Sequence, residues 1–432
     1  MKNVCVITGG GSGMGLSVAK LLEKDIYIIL AGHTVSKLEG AVEELKAMGK
    51  EVEAYPCDVS DRESVKALAA HAAGVGNVKM VCHAAGVSPT MCDAAAVFAV
   101  DCLGTINVNE EFAAVMGEKS CVLNISSSAP VMLPRANVPR NLYPLADKDP
   151  DAFVKNMMIT VNLGGPDFAS GMAYSLAKDF VIWYTKTEAM KYGRKGIRFV
   201  SVGPGTILTD MGKAEAADGD MAMQLAMMGA LGRAGEPEEV AELMVFLLSD
   251  KASYITGVDI PCDGGSQTGF QRLNEVGFGD PDAFRPISAI KQIGIITDDL
   301  EKTKAAFEKY GIVGWMDVQV TVGEQFFENA ICYDKPQMFS VKSTTTSMLG
   351  IELELVEPMD EHSDYAAFLK KNGGPGIHHL SVETNDIGAV EALGKQVVVG
   401  AKIKGAPFGY KYFDFQDELG LILEYFPYVY NK

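Results

Sequence analysis

Two sets of side chains in this sequence could do chemistry, and they have nothing in common. Tyr174 and Lys178 stand four residues apart in a helical stretch, so their side chains share one face. A phenol with a pKa of about 10 is a poor acid–base catalyst at neutral pH. A lysine ammonium beside it stabilises the phenolate and makes proton exchange with a carbinol feasible. The run Thr8-Gly9-Gly10-Gly11-Ser12-Gly13-Met14-Gly15 adds a turn in which glycines let the backbone approach a pyrophosphate, with a helix N-terminus behind it to supply N–H groups. The last third of the chain has no nucleotide signature. It carries four spaced oxygen and nitrogen donors instead, Gln292, Glu354, His379 and Glu424, a set that reads as a metal site able to enolise a carbonyl compound.

The elements that must position these groups fall into two patterns. Up to about residue 265, apolar runs (Val4–Thr8, Ile26–Ala31, Val52–Cys57, Met80–His83, Cys121–Ser126, Ile197–Val202) alternate with helical periodicity (Gly15–Glu23, Ser36–Met48, Arg62–Ala73). That order predicts an α/β domain with a doubly wound parallel sheet covered on both faces. Gly264–Pro286 is rich in Gly, Pro and polar residues and reads as a linker. Beyond it a strand (Ile290–Thr297) leads to a helix capped by Asp298 (Leu300–Tyr310) and then to strands through Val356. A second strand (Gly376–Glu383), a helix (Ile387–Val397) and strands ending at Glu424–Phe426 repeat the order, so a βαβββ unit is written twice in an α+β domain. The expected division is 1–266, a linker 267–286, and 287–432.

Bulk properties bound the function. A chain of 432 residues exceeds the size of a single growing core. Its 48% hydrophobic and 22% charged content is that of a soluble globular protein, and a net charge of −18 speaks against a nucleic-acid surface. No apolar run reaches membrane-spanning length, and the start of the chain is too short for a signal-peptide core, so a cytoplasmic enzyme acting on a small molecule is expected. The eight cysteines show no paired metal-type spacing and are expected to be reduced core residues.

Residues 1–266 resemble the short-chain dehydrogenase/reductase family through an ordered series of segments: TGGGSGMG, Asp58-Val59, His83-Ala84-Ala85-Gly86, Ile125-Ser126-Ser127-Ser128, Tyr174-Ser175-Leu176-Ala177-Lys178, Pro204-Gly205-Thr206-Ile207-Leu208-Thr209, LGRAGEPEEVAELMVFLLSD and ITGVDIPCDGG. The resemblance implies a Rossmann-type fold and a nicotinamide cofactor held by Thr8, Gly9, Gly11, Ser12, Gly13, Met14, Gly15, His33, Asp58, Val59, Ala84, Ala85, Gly86, Tyr174, Lys178, Pro204, Gly205, Ile207 and Thr209. It makes Tyr174 the proton donor and acceptor, Lys178 the residue that tunes it, and Ser127 the group that polarises the substrate oxygen, with Ser126 and Ser128 as alternatives. Asp58 is expected to reach the adenine and Thr209 the carboxamide. The strand-two end, Ala31-Gly32-His33-Thr34, lacks the carboxylate usual in NAD enzymes, and with His33 and Lys37 nearby NADP(H) is favoured over NAD(H). Three departures stand out. Asp101 occupies a station usually held by Asn, and is kept as a catalytic residue. His83 replaces another Asn. Ser127 and Tyr174 are 47 positions apart, and the inserted Pro130–Ala169 reads as a substrate lid or an interface element. Met211, Met221, Met223, Met227 and Met228 fall in the other segment that the resemblance implies covers the substrate, and a methionine-rich lid suits a flat apolar substrate.

Residues 287–432 resemble the vicinal oxygen chelate superfamily, which includes glyoxalase I and methylmalonyl-CoA epimerase, through IKQIGIITDDLEKTKAAFEKYG, LGIELELVEP, GIHHLSVET and FQDELGLILEYF. In that fold each βαβββ unit gives one ligand from its first strand and one from its last. The resemblance thus implies Gln292, Glu354, His379 and Glu424 around a Zn, Ni, Co, Mn or Fe ion, with Glu424 or Glu354 shuttling a proton. His378 and His379 are adjacent and expected to point oppositely, so one alone is taken as a ligand; Glu352 is the alternative to Glu354. The combined expectation is a bifunctional enzyme, commonly a dimer or tetramer in such families. One half would interconvert an alcohol and a ketone on a steroid-like or polyphenol-like substrate, and the other would isomerise or epimerise next to the carbonyl. The alternatives are a metal-free binding or dimerisation module at the C-terminus, or a glyoxalase I-like lyase there.

Overall fold

The computed structural model describes residues 2–133, 138–162, 169–210, 212, 221–276, 284–348 and 350–429. The chain separates into two compact units, Met1–Asn274 and Glu275–Lys432.

The first unit is built on seven parallel strands: β1 (Asn3–Thr8), β2 (Ile26–Gly32), β3 (Val52–Pro56), β4 (Asn77–His83), β5 (Ser120–Ile125), β6 (Ile197–Pro204) and β7 (Val258–Cys262). Their order is β3-β2-β1-β4-β5-β6-β7, so the sheet reverses direction of growth between β1 and β4. In such sheets the ligand crevice lies at the strand ends beside that switch point. The strands read as unbroken apolar runs because both faces are covered. Cys5, Ile7, Ile28 and Leu30 face one layer of helices, while Val4, Val6, Ile29 and Ala31 face the other. The cysteines Cys5, Cys82 and Cys121 are buried free thiols, and burial pushes each of them up, so none is poised to react.

The described part of the insertion is helical. Pro150–Asn162 buries Phe153, Met157 and Val161 against Ala173, Leu176, Ala177 and Phe180 of the long helix Ala169–Tyr192. Arg140 grips Asp179 of that helix with two contacts of 2.6 and 3.0 Å, and the Tyr143 hydroxyl donates to Asp179 at 2.9 Å. The insertion thus braces the helix that carries Tyr174 and Lys178. Met211 and the side chain of Met221 lie outside the described residues. Met227 is exposed, and Met223 and Met228 are half-buried.

The second unit is one ten-stranded sheet with internal symmetry. β8 (Ala289–Ile296), β9 (Gln319–Val322), β12 (Ser340–Met348) and β13 (Ile351–Pro358) lie in the order β8-β13-β12-β9. β14 (Gly376–Glu383), β15 (Val397–Ile403), β16 (Phe408–Phe415) and β17 (Leu421–Val429) repeat it as β14-β17-β16-β15, and the halves join through an antiparallel β8–β14 seam. A hairpin of β10 (Phe327–Cys332) and β11 (Lys335–Pro336) leaves the first half and pairs with β15 of the second. Two local expectations need correction. The cap of the helix Leu300–Lys309 is Asp299, whose carboxylate accepts from the Lys302 N–H, rather than Asp298. Within the stretch read as linker, Ser266–Val276 is a helix, its start fixed by Asp263 accepting from the Gly265 and Gln267 N–H groups.

One buried acid gives the first unit a pH-dependent stability. Glu188 on the long helix is 1% exposed, and its Oε2 has no hydrogen-bond partner among the described residues. Burial pushes its carboxyl up to about 7, against the pull of Lys191 at 3.2 Å. A carboxyl whose folded value exceeds its unfolded value favours the fold while protonated, so that contribution fades as pH rises through about 7. Denaturant unfolding at pH 5 and pH 8 should show the first unit losing about 1–3 kcal/mol that Glu188→Gln does not lose. An equal loss in both proteins contradicts this account.

Candidate active site and metal centre

The glycine-rich turn between β1 and the helix Gly13–Leu21 is as tight as its composition requires. Gly9 has φ +68°, and a Cβ there would lie 2.7 Å from the Ala84 and Ala85 backbone at the end of β4. Gly13 has φ +55° and lies under the Thr209 methyl, at 3.3 Å from an added Cβ. Thr8 Oγ1 accepts from the Ala85 N–H and contacts His83 Nδ1 at 2.8 Å. The other ring nitrogen, Nε2, is 3.2 Å from the Thr105 hydroxyl, which itself donates to the Asp101 carbonyl at 2.6 Å. Burial, and then the Lys178 charge, push His83 down to about 3, so it is a neutral strut between the turn and the catalytic helix region. The sequence reads His83 only as a packing or polar substitution at a station usually held by Asn, without this bridging role.

Asp101 sits in a π-helical turn, Phe98–Leu103, of the kind that re-aims side chains at functional sites. Its Oδ1 accepts from the Val87 N–H at 3.0 Å and its Oδ2 lies 3.1 Å from Lys178 Nζ, with neither side chain more than 7% exposed. Burial raises the Asp101 carboxyl, opposed by Lys178 and the Val87 N–H. Burial works to lower Lys178, but the charges of Asp101 and Tyr174 outweigh it and hold the ammonium above its ordinary value. Gly86 makes room for the pair, because a Cβ there would stand 3.1 Å from Asp101 Oδ1 and 3.4 Å from Lys178 Nζ. Lys178 Nζ also donates to the Ile125 carbonyl at 3.3 Å and lies 5.4 Å from the centre of the Tyr174 ring.

The three serines after β5 separate by their partners. Ser126 donates to Asp259 at 2.6 Å, which commits its hydroxyl to the sheet. Ser128 gives its N–H to the Pro204 carbonyl, and Ser127 Oγ accepts from the Ala129 N–H at 3.1 Å. Asp58 Oδ1 accepts from the N–H and hydroxyl of Ser60. Val59 packs on Gly104. His33 is exposed with Nδ1 3.0 Å from the Thr34 hydroxyl, and Lys37 passes Gly11 at 3.1 Å from an added Cβ. Gly205 would carry a Cβ 2.9 Å from Asp263, and Thr209 Oγ1 accepts from the Gly212 N–H.

In the second unit His379, Glu354 and Glu424 come together; Gln292 keeps to a neighbour. His379 Nε2 is 3.6 Å from Glu354 Oε2 and 3.7 Å from Glu424 Oε2. The Gln292 amide donates to Glu352 at 2.6 Å, the register neighbour across β8–β13. The His379 ring lies directly over Gly294, where a Cβ would be 1.9 Å from a ring carbon, so only glycine fits. Tyr412 covers the ring at 4.4 Å between centroids. Burial pushes His379 down to about 4 and each of Glu354 and Glu424 up to about 7.

Among the described residues no group of three or more His, Cys, Asp or Glu side chains is placed to hold a metal ion as it stands. The donor set nonetheless fits a divalent ion. His379 Nε2 is buried without a hydrogen-bond partner among the described residues, and two ligands each about 2.0–2.2 Å from one ion can be separated by up to about 4 Å.

A nucleotide turn at the switch point and a Tyr–Lys pair on the adjoining helix define an oxidoreductase of the Rossmann type. The chain belongs to the short-chain dehydrogenase family: residues 3–138 match the family described as short chain dehydrogenase, and 136–267 the one described as Enoyl-(Acyl carrier protein) reductase. Residues 291–403 match the Glyoxalase/Bleomycin resistance protein/Dioxygenase superfamily. A cyclohexanol dehydrogenase from Acinetobacter sp. (strain SE19) is 30% identical over 263 residues, covering 60% of this chain and 93% of that protein. A 3-oxoacyl-acyl-carrier-protein reductase from Thermotoga maritima is 29% identical over 266 residues, covering 61% and 96%. The solved structure of a short-chain type dehydrogenase/reductase from Mycobacterium ulcerans aligns with a TM-score of 0.50 at 28% identity, covering 62% of this chain and 90% of that one.

Gly294→Ala tests the seat of His379. The added methyl must displace the ring, and the second unit should lose about 1–3 kcal/mol in denaturant unfolding. Unchanged stability would show that the ring is not held there.

Proposed function

We propose that the first unit interconverts a secondary alcohol and its ketone, and that the second isomerises or epimerises the same carbonyl compound at the adjacent carbon. The working division is 1–266 for the redox domain and 287–432 for the metal domain, with 267–286 between. The observation that carries the reading is the buried Asp101–Lys178 pair beside Tyr174 in one unit, matched by His379 facing two carboxylates in the other.

The glycine turn, Asp58, Lys178 and Thr209 would hold the nicotinamide dinucleotide, which supplies the hydride-transfer chemistry when bound. The exposed His33 and the nearby Lys37, with no carboxylate at the end of β2, favour NADP(H) over NAD(H). Tyr174 takes the proton of the carbinol or returns it to the ketone, and Lys178 stabilises the phenolate. Ser127, whose hydroxyl is not committed to the sheet as that of Ser126 is, orients the substrate oxygen. A hydrophobic cyclic substrate, steroid-like or polyphenol-like, fits the methionine-rich segment, and the Acinetobacter relative is named for a cyclic secondary alcohol.

Glu354, His379, Glu424 and Gln292 would hold the divalent ion, which stabilises negative charge developing on the substrate oxygen. Glu424, hydrogen-bonded to Ser381 and raised to about 7, is placed to take a proton from the carbon next to the carbonyl and to return it. We place the enzyme in the cytoplasm as a homo-oligomer.

A panel of cyclic alcohols and ketones, assayed with both coenzymes, should give turnover that Tyr174→Phe lowers at least 100-fold. Turnover kept in that variant excludes the assigned acid–base residue. Asp101→Asn removes the charge that neutralises Lys178, so the acid limb of the alcohol-oxidation pH profile should move down by about one unit; no movement, or a rise, contradicts the pairing role. Purified protein should hold one divalent ion per chain, lost in His379→Ala. No stoichiometric metal in any preparation favours a metal-free binding module instead.

A further inference from the structure

A regular strand would send His378 and His379 to opposite faces. β14 is not regular at this point: its pairing with β8 slips between Ile377 and His379, which leaves His378 as the extra residue of a bulge. Both rings are buried. His378 Nδ1 lies 3.1 Å from His379 Nδ1, and His378 Nε2 lies 2.7 Å from Asp364 Oδ2. Asp364 opens the helix Asp364–Asn372, is 5% exposed, and accepts from the Tyr333 hydroxyl on its other oxygen. Three groups therefore stand in line, carboxylate to imidazole to imidazole, and the line ends on His379 Nε2, which has no hydrogen-bond partner among the described residues and lies between Glu354 and Glu424.

Proton counting gives the line a direction. An ionised carboxylate only accepts, so His378 Nε2 must carry the hydrogen it offers Asp364. With its one hydrogen on Nε2, His378 presents a lone pair at Nδ1. His379 Nδ1, facing that lone pair, must be an N–H, and its Nε2 is left bare. Metal-binding histidines are held in one tautomer by the partner of their second nitrogen. Here that partner is a second histidine, itself oriented by a buried acid.

We infer that Asp364 and His378 are positioning residues that lock His379 in the Nδ1–H tautomer and aim its Nε2 lone pair at the Glu354–Glu424 pair. The inference deepens the reading of this site as a metal centre and rests on it for its purpose, while the tautomer itself exists without metal. The opposite polarity, with His378 donating to His379 and His379 Nε2–H facing the glutamates, would present a hydrogen where a ligand needs a lone pair. Phe368 and Tyr365 pack on the His378 ring at 5.0 and 5.5 Å, so a purely structural role would be served by an apolar side chain.

The test uses the full-length protein with ¹⁵N-labelled histidine, stripped of metal by a chelator. Long-range ¹H–¹⁵N correlation, with His379 assigned by its loss in His379→Ala, should show Nδ1 protonated and Nε2 bare. In His378→Leu the acceptor is gone, and His379 should turn to the Nε2–H form. In His378→Asn the amide oxygen replaces the acceptor, and the Nδ1–H form should persist. Asp364→Leu keeps both rings and should show a mixture of tautomers, which gives a second arm if His378→Leu does not fold. Zinc titration should show affinity about 10–100-fold weaker in His378→Leu than in wild type, with His378→Asn close to wild type. Nε2–H in the wild type, or one unchanged tautomer across all variants, overturns the inference. The tautomer pattern with no zinc bound by any protein supports the inference and overturns the metal reading instead.

Discussion

Lys178 holds its ammonium inside the protein, and the Asp101 carboxylate at 3.1 Å makes that burial tolerable. An isolated buried charge costs several kcal/mol, and breaking a buried pair leaves that cost uncompensated. Much of the first unit is arranged around meeting it. The π-turn puts Asp101 within reach, Gly86 leaves room, the Val87 N–H donates to Asp101, and the Ile125 carbonyl accepts from Lys178. His83 ties the same region to the nucleotide turn through Thr8 and Thr105, and the Arg140–Asp179 contact braces the catalytic helix from the insertion. The ion pair thus links the cofactor turn, the catalytic helix and the end of β5 into one unit.

The second unit meets burial in another way. There a ring nitrogen has no hydrogen-bond partner among the described residues; the ring lies between Gly294 and Tyr412, near two glutamates that burial makes reluctant to ionise. A buried polar atom with no partner is destabilising unless a ligand supplies one. The first site sets its buried carboxylate 3.1 Å from an ammonium, whereas the second sets its buried ring nitrogen 3.6 and 3.7 Å from two carboxylates.

Sequence patterning made the architecture legible because both units obey simple periods. Unbroken apolar strands announced a doubly covered parallel sheet, and the repeated strand–helix order announced the paired halves of the second sheet. Glycines with positive φ at 9 and 13 and the helical spacing of Tyr174 and Lys178 are local properties, so they too could be read. What escaped depends on tertiary context. The bulge at His378 breaks the alternation that sent the two histidines apart, and the choice of Asp299 over Asp298 as helix cap is a matter of one residue of register. The π-turn at Asp101 turns an apparent loss of an amide into an ion pair, and the helix Ser266–Val276 starts on capping contacts from Asp263 that composition does not reveal.

The proposed pairing of an alcohol-oxidising site with an enolising one makes chemical sense because a ketone formed by the first would acidify the C–H bond on which the second is proposed to act. Deuterium exchange decides whether they share that ketone. With the ketone product of the redox reaction supplied in D₂O, deuterium should enter at the carbon next to the carbonyl in wild type and in Tyr174→Phe, and should fail to enter in His379→Ala. Exchange that survives in His379→Ala, or that is absent from the wild type while the redox reaction proceeds, would contradict a shared substrate.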